Sequence, residues 1–521
     1  MHGVKRNIDP LDNKYDENPL KRQYSKRQLP SDRDEITNSE CDNIRRVISR
    51  SLMFDLNLTD HHTNPYNECI ESWIKSIILD YGNISTVINE ILYKTTISNY
   101  RFVRGSMLPS DTHAFNTSYH GNIFVDIQLT ILSTSEHDSS NNTRSGNEKF
   151  PYIIKNEFHE SVLICVFPIM LYSKVCYFSD GYDLSKQTEP EYAGGFIVNG
   201  KRRFIPLLKS LINNFPFRFQ NKNIYTIQVR SEHLDRRHRS TSTLELVLDT
   251  SKTTRSVMFH NMFIKIPFLN STVPLTVLIT ALGMSLSGFE EYVVASAGVN
   301  WDKELFEKYL IMLRHDHCGC TTKEQALCYI GRLYGRNSDA ATVAGNVIQN
   351  EVLPHLNQHH EQSKGFYIAY MYSTMVLFGE GKIPATDRDS RVYSCLIDSG
   401  TSLAFLFRVI FLGFIRQGIK IARRAVNRGK EFSVCKIYNH RRLTLKLMSA
   451  IATGTWSKKR KGMSHPMNTT NAQAIIAQLR RISSSYLNND GKHLAPRMLH
   501  PTAFGYECAA ETPEGTIYNS L

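Results

Sequence analysis

Basic side chains that could bind phosphate gather in the last part of this sequence. Arg480 and Arg481 follow a run in which apolar residues recur at helical spacing, so the sequence predicts both at the C-terminal end of a helix. The helix dipole favours cations at that end, from which an arginine can reach an acidic ligand. Lys492, Arg497 and His500 follow in a loop that begins rich in Gly and Asn. The predicted chemistry is therefore anion binding.

One face of the predicted helix has to hold these arginines in place. Its apolar stripe consists of Ala472, Ile475, Ile476, Leu479 and Ile482. The candidate N-terminal caps are Thr469, Thr470 and Asn471. Downstream, Glu511–Gly515 predicts a turn, because the proline fixes one residue and the glycine frees another.

The positive charge of the chain is concentrated in the same region. The 521 residues carry a net charge of +13, and eighteen Lys or Arg but two acidic residues lie between Arg416 and Arg497. Such a region favours salt-dependent contact with a phosphate backbone, independent of base sequence. A solvated surface or a partner-facing patch would have the same composition.

Short motifs along the chain occur together, in this order and at this spacing, in one protein family. They are VFPIMLYSKVCYFSD (166–180), GGFIVNGKRRFIP (194–206), TDRDSRVYSCLIDSGTSLAFLFR (386–408), QLRRIS (478–483), GKHLAPRMLHP (491–501) and ETPEG (511–515). With them the chain resembles the N-terminal part of the second-largest (β-type) subunit of multi-subunit DNA-directed RNA polymerases. The family's Asn-Lys-Arg is replaced here by Tyr393, Ser394 and Cys395.

The resemblance implies a mixed α/β (α+β), multidomain fold: a discontinuous protrusion with an inserted lobe and a C-terminal fork. The implied boundaries are 1–40 for a disordered or extended N-terminal arm, 41–205 for the first part of the protrusion, 206–340 for the lobe, 341–455 for the return of the protrusion and 456–521 for the fork.

The resemblance also implies a role in DNA-templated RNA synthesis, in which the chain positions DNA and the RNA–DNA hybrid near the active centre. Nucleic-acid contacts are then expected at Arg480, Arg481, Lys492, Arg497 and His500. Positions near the active centre are expected at Asn471, Gln478, Ser483 and Glu514.

The chain is expected to be inactive alone. Nucleotide addition needs metal-held carboxylates, and in the family the largest (β′-type) subunit supplies them. We therefore expect no catalytic or metal-binding residue and no bound cofactor in this chain, with Mg²⁺ held by the largest subunit of the assembled enzyme. The implied partners are that subunit, the C-terminal half of the second-largest subunit, template DNA and nascent RNA, and no membrane.

Two alternatives stay open from the sequence. A stand-alone basic nucleic-acid-binding or regulatory protein, derived from a polymerase fragment, would have a similar composition. An apolar face left exposed near the C-terminal end would favour the polymerase subunit. For Arg480 and Arg481 the alternative is an ion-pair clamp inside the fork, since buried arginines are usually paired.

Local patterns predict several elements. Apolar residues recur at helical spacing between Cys41 and Lys94, and residues 118–132 alternate as in a strand. Asn199-Gly200 predicts a type I′ hairpin turn, because both central residues need positive φ. The charged residues of 387–391 are predicted to form structural ion pairs.

The sequence contains one candidate metal site and one long apolar run. His315, His317, Cys318 and Cys320 could bind zinc, but their spacing does not match a usual structural pair, so zinc binding is left open. The apolar run Leu403–Ile415 is predicted to be too short to span a bilayer.

The location is predicted to be intracellular. Ten scattered cysteines without a CxxC pair and the lack of a secretory signal favour a reducing compartment. After ETPEG the sequence TIYNSL replaces the family's continuing helix, which predicts a split or truncated subunit. A large DNA virus of eukaryotes is the expected source, with host cytoplasm, nucleus or virion as the location.

Overall fold

A computed structural model describes residues 58–88, 91–133, 152–180, 193–233, 241–250, 261–269, 271–315, 319–334, 340–356, 361–429, 434–457, 462–483 and 500–508. Several predictions fall outside the described residues: the N-terminal arm (1–40), Lys492, Arg497 and Glu514.

Helices and strands are both abundant. The helices are α1 Asp60–Glu68, α2 Ile74–Gly82, α3 Pro109–Ala114, α4 Leu275–Ala281, α5 Leu286–Ala297, α6 Lys303–His315, α7 Lys323–Leu333, α8 Ala340–Asn350, α9 Glu361–Gly379, α10 Ser399–Val426, α11 Val434–Ile437, α12 His440–Thr453 and α13 Ala472–Arg480. A π-helical turn, Cys69–Trp73, joins α1 to α2. Short 3₁₀ turns occur at Tyr177–Asp180, Gly298–Asn300, Arg391–Tyr393 and Pro501–Ala503.

The strands are β1 Ile84–Ile88, β2 Ile91–Arg104, β3 His120–Ser133, β4 Tyr152–Pro168, β5 Phe196–Val198, β6 Lys201–Phe204, β7 Leu207–Leu211, β8 Pro216–Asn221, β9 Ile224–Ser231, β10 Ser242–Asp249, β11 Asn261–Lys265, β12 Val273–Pro274, β13 Ser394–Ile397, β14 His465–Pro466 and β15 Ile482–Ser483. This mixture of helices and strands confirms the predicted α+β class.

The first hydrophobic core combines early and late segments of the chain. Helices α1 and α2, the antiparallel sheet β1–β2–β3–β4 and the later helices α10 and α12 pack together around it. The alternation predicted for residues 118–132 is confirmed, because Ile123, Val125 and Ile127 all point into this core. The helical pattern predicted up to Lys94 is wrong beyond Gly82. There the chain forms β1 and the start of β2, and alternate residues of β1 are buried.

The second core is formed by one continuous part of the chain. The five-stranded sheet, in the order β12–β11–β10–β9–β8, packs with helices α4 to α9. The predicted lobe ends at residue 340, but this core continues through α8 and α9. Ala344, Ile348 and Met375 are fully or almost fully buried in it. Packing therefore joins residues 340–379 to the second core and not to the returning protrusion.

The long helix α10 corrects one prediction. The run Leu403–Ile415 is part of a 28-residue helix that continues past Arg416. Within the described ranges this helix is long and apolar enough to cross a membrane, and the bent pair Leu275–Ala281 with Leu286–Asn300 would be a second candidate if read as one span. The prediction of insufficient length is thus wrong. Half of the apolar window is buried, and Leu403 and Phe407 lie in the first core, as in the central helix of a domain.

Two small sheets attach the C-terminal segment to the rest of the chain. The hairpin β5–β6 turns at Asn199 and Gly200, which have φ values of 51° and 68°, so the predicted positive-φ turn is confirmed. The sheet β14–β6–β5 and the sheet β13–β7–β15 bind residues before and after α13 to this hairpin and to β7. These pairings place α13 beside the hairpin.

The predicted zinc tetrad lies partly outside the described residues. His315 is the last residue of α6 and Cys320 is buried, but residues 317 and 318 are not described. In the part of the chain that is described, no group of three or more His, Cys, Asp or Glu side chains could hold a metal ion. Zinc binding by this tetrad stays an open prediction.

Candidate nucleic-acid interface

Helix α13 is capped at its start and docked by its apolar face. The Asn471 side chain accepts a hydrogen bond from the Ala474 amide at 2.6 Å, which confirms one of the predicted caps. Ile475 and Leu479 are buried against Phe204 of β6 and form a small separate core with it. The stripe predicted from the sequence therefore fixes the helix on the hairpin.

The helix ends at two exposed arginines, which we call the arginine pair (Arg480 and Arg481). Arg480 is the last helical residue and Arg481 is the C-cap. Both side chains are exposed. Among the residues that the structure describes, no ion pair joins either guanidinium group to a carboxylate. The predicted ion-pair clamp therefore has no support within this part of the chain.

The hairpin brings a further cation to the arginine pair. Strand β14 pairs with β6, so that His465 lies opposite Phe204 and Pro466 opposite Arg203. Burial lowers the pKa of His465, and the positive charges of Arg481 and Arg203 lower it further, while a hydrogen bond to the Gly462 backbone raises it. Arg203 and Arg481 thus act on one imidazole from two elements that are distant in sequence.

The two predicted positions within and after α13 have internal roles. The Gln478 Oε1 accepts from the Asn468 amide at 2.9 Å, and its Nε2 donates to the carbonyls of Asn468 and Ala474, both at 3.0 Å. Gln478 therefore braces the loop in front of the helix. Ser483 lies in β15, which pairs in parallel with β7. Proximity of Asn471, Gln478 and Ser483 to an active centre stays a prediction.

His500 lies in a second group of charges, which we call the ion-pair cluster (Lys209, Asp387, Arg391, His500 and Glu507). The His500 Nε2 is 2.8 Å from Asp387 Oδ2, and its Nδ1 accepts from the Thr502 amide at 3.2 Å. Both ring nitrogens thus have partners within the chain. Contact of His500 with nucleic acid stays a prediction.

The buried part of this cluster surrounds one carboxylate. Glu507 Oε1 lies 2.7 Å from Arg391 Nε and 3.3 Å from Lys209 Nζ. The Arg391 amide donates to Thr502 Oγ1 at 2.9 Å. Residues 500–508 are therefore bound to the 387–391 stretch, whose predicted structural ion pairs are confirmed at Arg391, while Asp387 contacts the His500 ring.

Two residues at the arginine pair escaped sequence reasoning. His61 and His62 of α1 both direct Nε2 at the Leu479 carbonyl, at 3.2 and 2.7 Å. The only local indication of their role is two adjacent histidines next to an apolar stripe that packs in the first core. Nothing in that pattern indicates a partner 417 residues further along the chain.

The close packing here also depends on a glycine. Gly194 has a φ of +88°, and a Cβ added to it would lie 3.3 Å from Leu479 Cδ2. The groups that the structure gathers are cationic side chains on a firmly packed base. Such groups suit the oxygens of phosphate.

Comparisons with known proteins indicate the family of the chain. The profile described as RNA polymerase beta subunit matches residues 57–445. A second profile, RNA polymerase Rpb2 domain 3, matches residues 466–517, which include α13 and the arginine pair. The first match alone covers more than half of the chain.

Curated relatives come from eukaryotes and archaea. The chain is 26% identical over 435 residues to DNA-directed RNA polymerase II subunit RPB2 of Schizosaccharomyces pombe, covering 79% of this chain and 35% of that protein. It is 26% identical over 496 residues to DNA-directed RNA polymerase subunit Rpo2N of Methanothermobacter thermautotrophicus, covering 88% of this chain and 89% of that protein. The chain thus spans about a third of the eukaryotic relative and most of the archaeal one. It belongs to the RNA polymerase β subunit family and corresponds to the N-terminal part of the second-largest subunit.

Proposed function

We propose that this chain takes part in DNA-templated RNA synthesis as a non-catalytic part of the second-largest polymerase subunit. In this role it binds DNA and the RNA–DNA hybrid and positions them near the active centre. The observation that carries the proposal is the arginine pair. Two exposed guanidinium groups leave the end of a helix that is capped, docked and held beside Arg203. Arginine binds phosphate oxygens in a bidentate fashion, so the surface suits a nucleic-acid backbone.

The chemistry itself belongs to partners in this proposal. The largest subunit supplies the carboxylates and the Mg²⁺, and the C-terminal half of the second-largest subunit completes the nucleotide site. Template DNA and nascent RNA are the ligands. The chain alone would be inactive. Lys492, Arg497 and His500 complete the proposed nucleic-acid contacts, and Glu514 lies near the active centre.

The source and location are part of the proposal. We infer an intracellular polymerase of a large DNA virus of eukaryotes, which would act in host cytoplasm, nucleus or virion. The eukaryote-like sequence of residues 386–408 supports this inference.

Exposed apolar side chains favour a subunit over a stand-alone binding protein. On α10 and α12, Val409 is 63% exposed and Leu445 is 70% exposed. Near the C-terminal end, Phe504 and Tyr506 are also largely exposed. A subunit that assembles with others would cover such a surface, whereas a stand-alone binding protein would have a polar one.

The test of nucleic-acid binding is the salt dependence of hybrid binding by the full chain. Anisotropy of a labelled RNA–DNA hybrid gives the affinity at several salt concentrations. Replacing both Arg480 and Arg481 by Ala should weaken binding about tenfold or more at low salt. It should also lower the slope of log affinity against log salt by about 2, because each phosphate contact contributes about 1.

A matched control exists in α10. Arg423 and Arg424 are also adjacent, exposed and in the last turn of a helix. The Arg423→Ala/Arg424→Ala variant should leave the slope unchanged. Equal effects of the two double variants, or no binding by the unaltered chain, would contradict the proposed interface.

The test of assembly is purification of the tagged chain from its native source. We expect a β′-type subunit and a C-terminal β-type partner to copurify with it. The eluate should make RNA in a Mg²⁺-dependent reaction without a promoter. Recovery of the chain alone, with DNA binding and no RNA synthesis, would favour the stand-alone protein.

A further inference from the structure

The end of α13 is held by two imidazoles from the other end of the described chain. The last four carbonyl groups of a helix have no partner within the helix. One of them, the Leu479 carbonyl, lies 2.7 Å from His62 Nε2 and 3.2 Å from His61 Nε2. This carbonyl belongs to the residue directly before the arginine pair.

The geometry fixes the protonation of His62. A carbonyl oxygen only accepts, so Nε2 must carry the proton and donate. The neutral ring then has its lone pair on Nδ1, which lies 3.1 Å from the Ser399 Oγ, and the same hydroxyl lies 3.5 Å from the His62 carbonyl oxygen. Ser399 is buried and is the first residue of α10. His62 therefore links the starts of α1 and α10 to the end of α13.

The packing leaves His62 little freedom to move. Its side chain is fully buried. Gly194 also packs closely against this pair, since a Cβ added to it would lie within 3.6 Å of both Leu479 and the Cβ of His62. Leu479 itself is buried beneath the arginine pair. This contact, together with the pairing of β15 with β7, therefore sets the direction in which the chain leaves α13.

The choice of imidazole has an electrostatic reason. A lysine or arginine would also cap a carbonyl, but it would place a further cation beside Arg480, whose charge already acts on His61. Burial, with His61 as a second cause, lowers the pKa of His62 to about 4, so this ring is neutral near pH 7. A neutral donor satisfies the carbonyl without repelling the arginine pair.

We propose that His61 and His62 are positioning residues, which fix the last turn of α13 and so aim the arginine pair at the phosphate backbone. The inference rests on the proposed function, because it needs the arginine pair to contact nucleic acid. It adds to that function the part of the molecule that orients the contact.

The experiment is a mutant cycle on the full chain with the same labelled hybrid. His62→Ala should weaken hybrid binding about fivefold. It should have no further effect in the Arg480→Ala/Arg481→Ala background, because the groups that it positions are absent there. His62→Gln should restore most of the affinity, since the amide can donate to the Leu479 carbonyl. A purely structural role would not produce this rescue together with the loss of effect in the double variant.

The control is His355→Ala. His355 is part-buried and, like His62, contacts a serine hydroxyl, that of Ser231, but it lies at the second core. It should leave hybrid affinity unchanged. If His62→Ala does not fold, His61→Ala at the half-buried ring tests the same carbonyl contact and should show a smaller loss with the same dependence on the arginine pair.

The outcomes separate the two proposals. No binding by the unaltered chain would overturn the proposed function and this inference with it. Binding that depends on the arginine pair but is unaffected by changes at His62 and His61 would overturn this inference alone. An equal loss in the presence and absence of the arginine pair would also overturn it, because the effect would then be general destabilisation.

Discussion

The arginine pair and the ion-pair cluster both contain arginine but have opposite surroundings. Both lie in segments that carry family motifs. Arg480 and Arg481 are exposed, without an ion pair among the described residues. In the ion-pair cluster, by contrast, the Arg391 and Glu507 side chains are only 9% and 7% exposed. The first region can bind a ligand, whereas the second binds two segments of the chain to each other.

A charged side chain can contribute to the free energy of ligand binding or to the free energy of unfolding. The two regions differ in which of these they should affect. Removing an exposed, unpaired arginine should change ligand affinity and leave stability within about 0.5 kcal/mol. Removing one partner of a buried pair should lower stability, because the other charge is left buried and uncompensated. Ligand affinity should stay unchanged. Each region can therefore be tested by two measurements. Changes at the arginine pair should leave stability nearly unchanged, and changes at the ion-pair cluster should leave affinity unchanged.

The largest effect is expected from Glu507→Gln. This change leaves Arg391 and Lys209 facing each other without the carboxylate that both contact. The local stability of residues 500–508 should fall by about 3–5 kcal/mol. Hydrogen exchange of these residues measures this fall, while hybrid affinity should stay within twofold.

The control for this prediction is Glu71→Gln. Its ion pair with Lys174 is highly exposed on both sides, at 56% and 67%. Its loss should cost less than about 1 kcal/mol. Equal losses at Glu507 and Glu71 would show that the cluster is not a buried brace.

A smaller effect is expected when the pH is lowered and His62, which contacts the end of α13, becomes protonated. The pKa of His62 is about 4 when folded, below its ordinary 6.5. Stability from this group is therefore fully present above pH 6.5 and is lost as the pH falls from 6.5 toward 4, because the unfolded chain binds the proton first. The maximum loss is about 3 kcal/mol.

The measurement is hydrogen exchange of α13 as a function of pH, after correction for the intrinsic exchange rate. Three charged neighbours of the imidazole pair, Asp60, Asp398 and Arg480, are unchanged in the His62→Gln variant. That variant should show a flatter pH dependence than the unaltered chain. The same slope in both proteins would mean that another group titrates.

The smallest effect is expected from His500→Asn. Its partner Asp387 is 58% exposed, so their contact should contribute less than about 1 kcal/mol. Asn can also keep the acceptor that caps the turn at Pro501. Because His500 is one of the proposed nucleic-acid contacts, hybrid affinity should fall, but by less than in the Arg480→Ala/Arg481→Ala variant. Unchanged hybrid affinity would remove His500 from the proposed interface and leave it a role within the chain alone.

Predictions from local sequence patterns were confirmed where the structure of an element depends only on residues within that element. The cap at Asn471, the buried stripe of α13, the alternation of β3 and the positive-φ turn at Asn199-Gly200 all depend on spacing over a few residues. The errors arose where packing overrides spacing. Residues 84–88 and 91–94 form strands because β1 pairs with β2, although their apolar spacing also fits a helix.

The sequence by itself determined the family motifs, the α+β class and the helix that ends at Arg480 and Arg481. Only the tertiary structure decided which charges are available to a ligand. His500 meets Asp387 across 113 positions, and His62 meets Leu479 across 417. The physical reason is that burial and pairing of a charge depend on groups that folding brings from distant parts of the chain. Helical spacing and turn chemistry depend only on near neighbours.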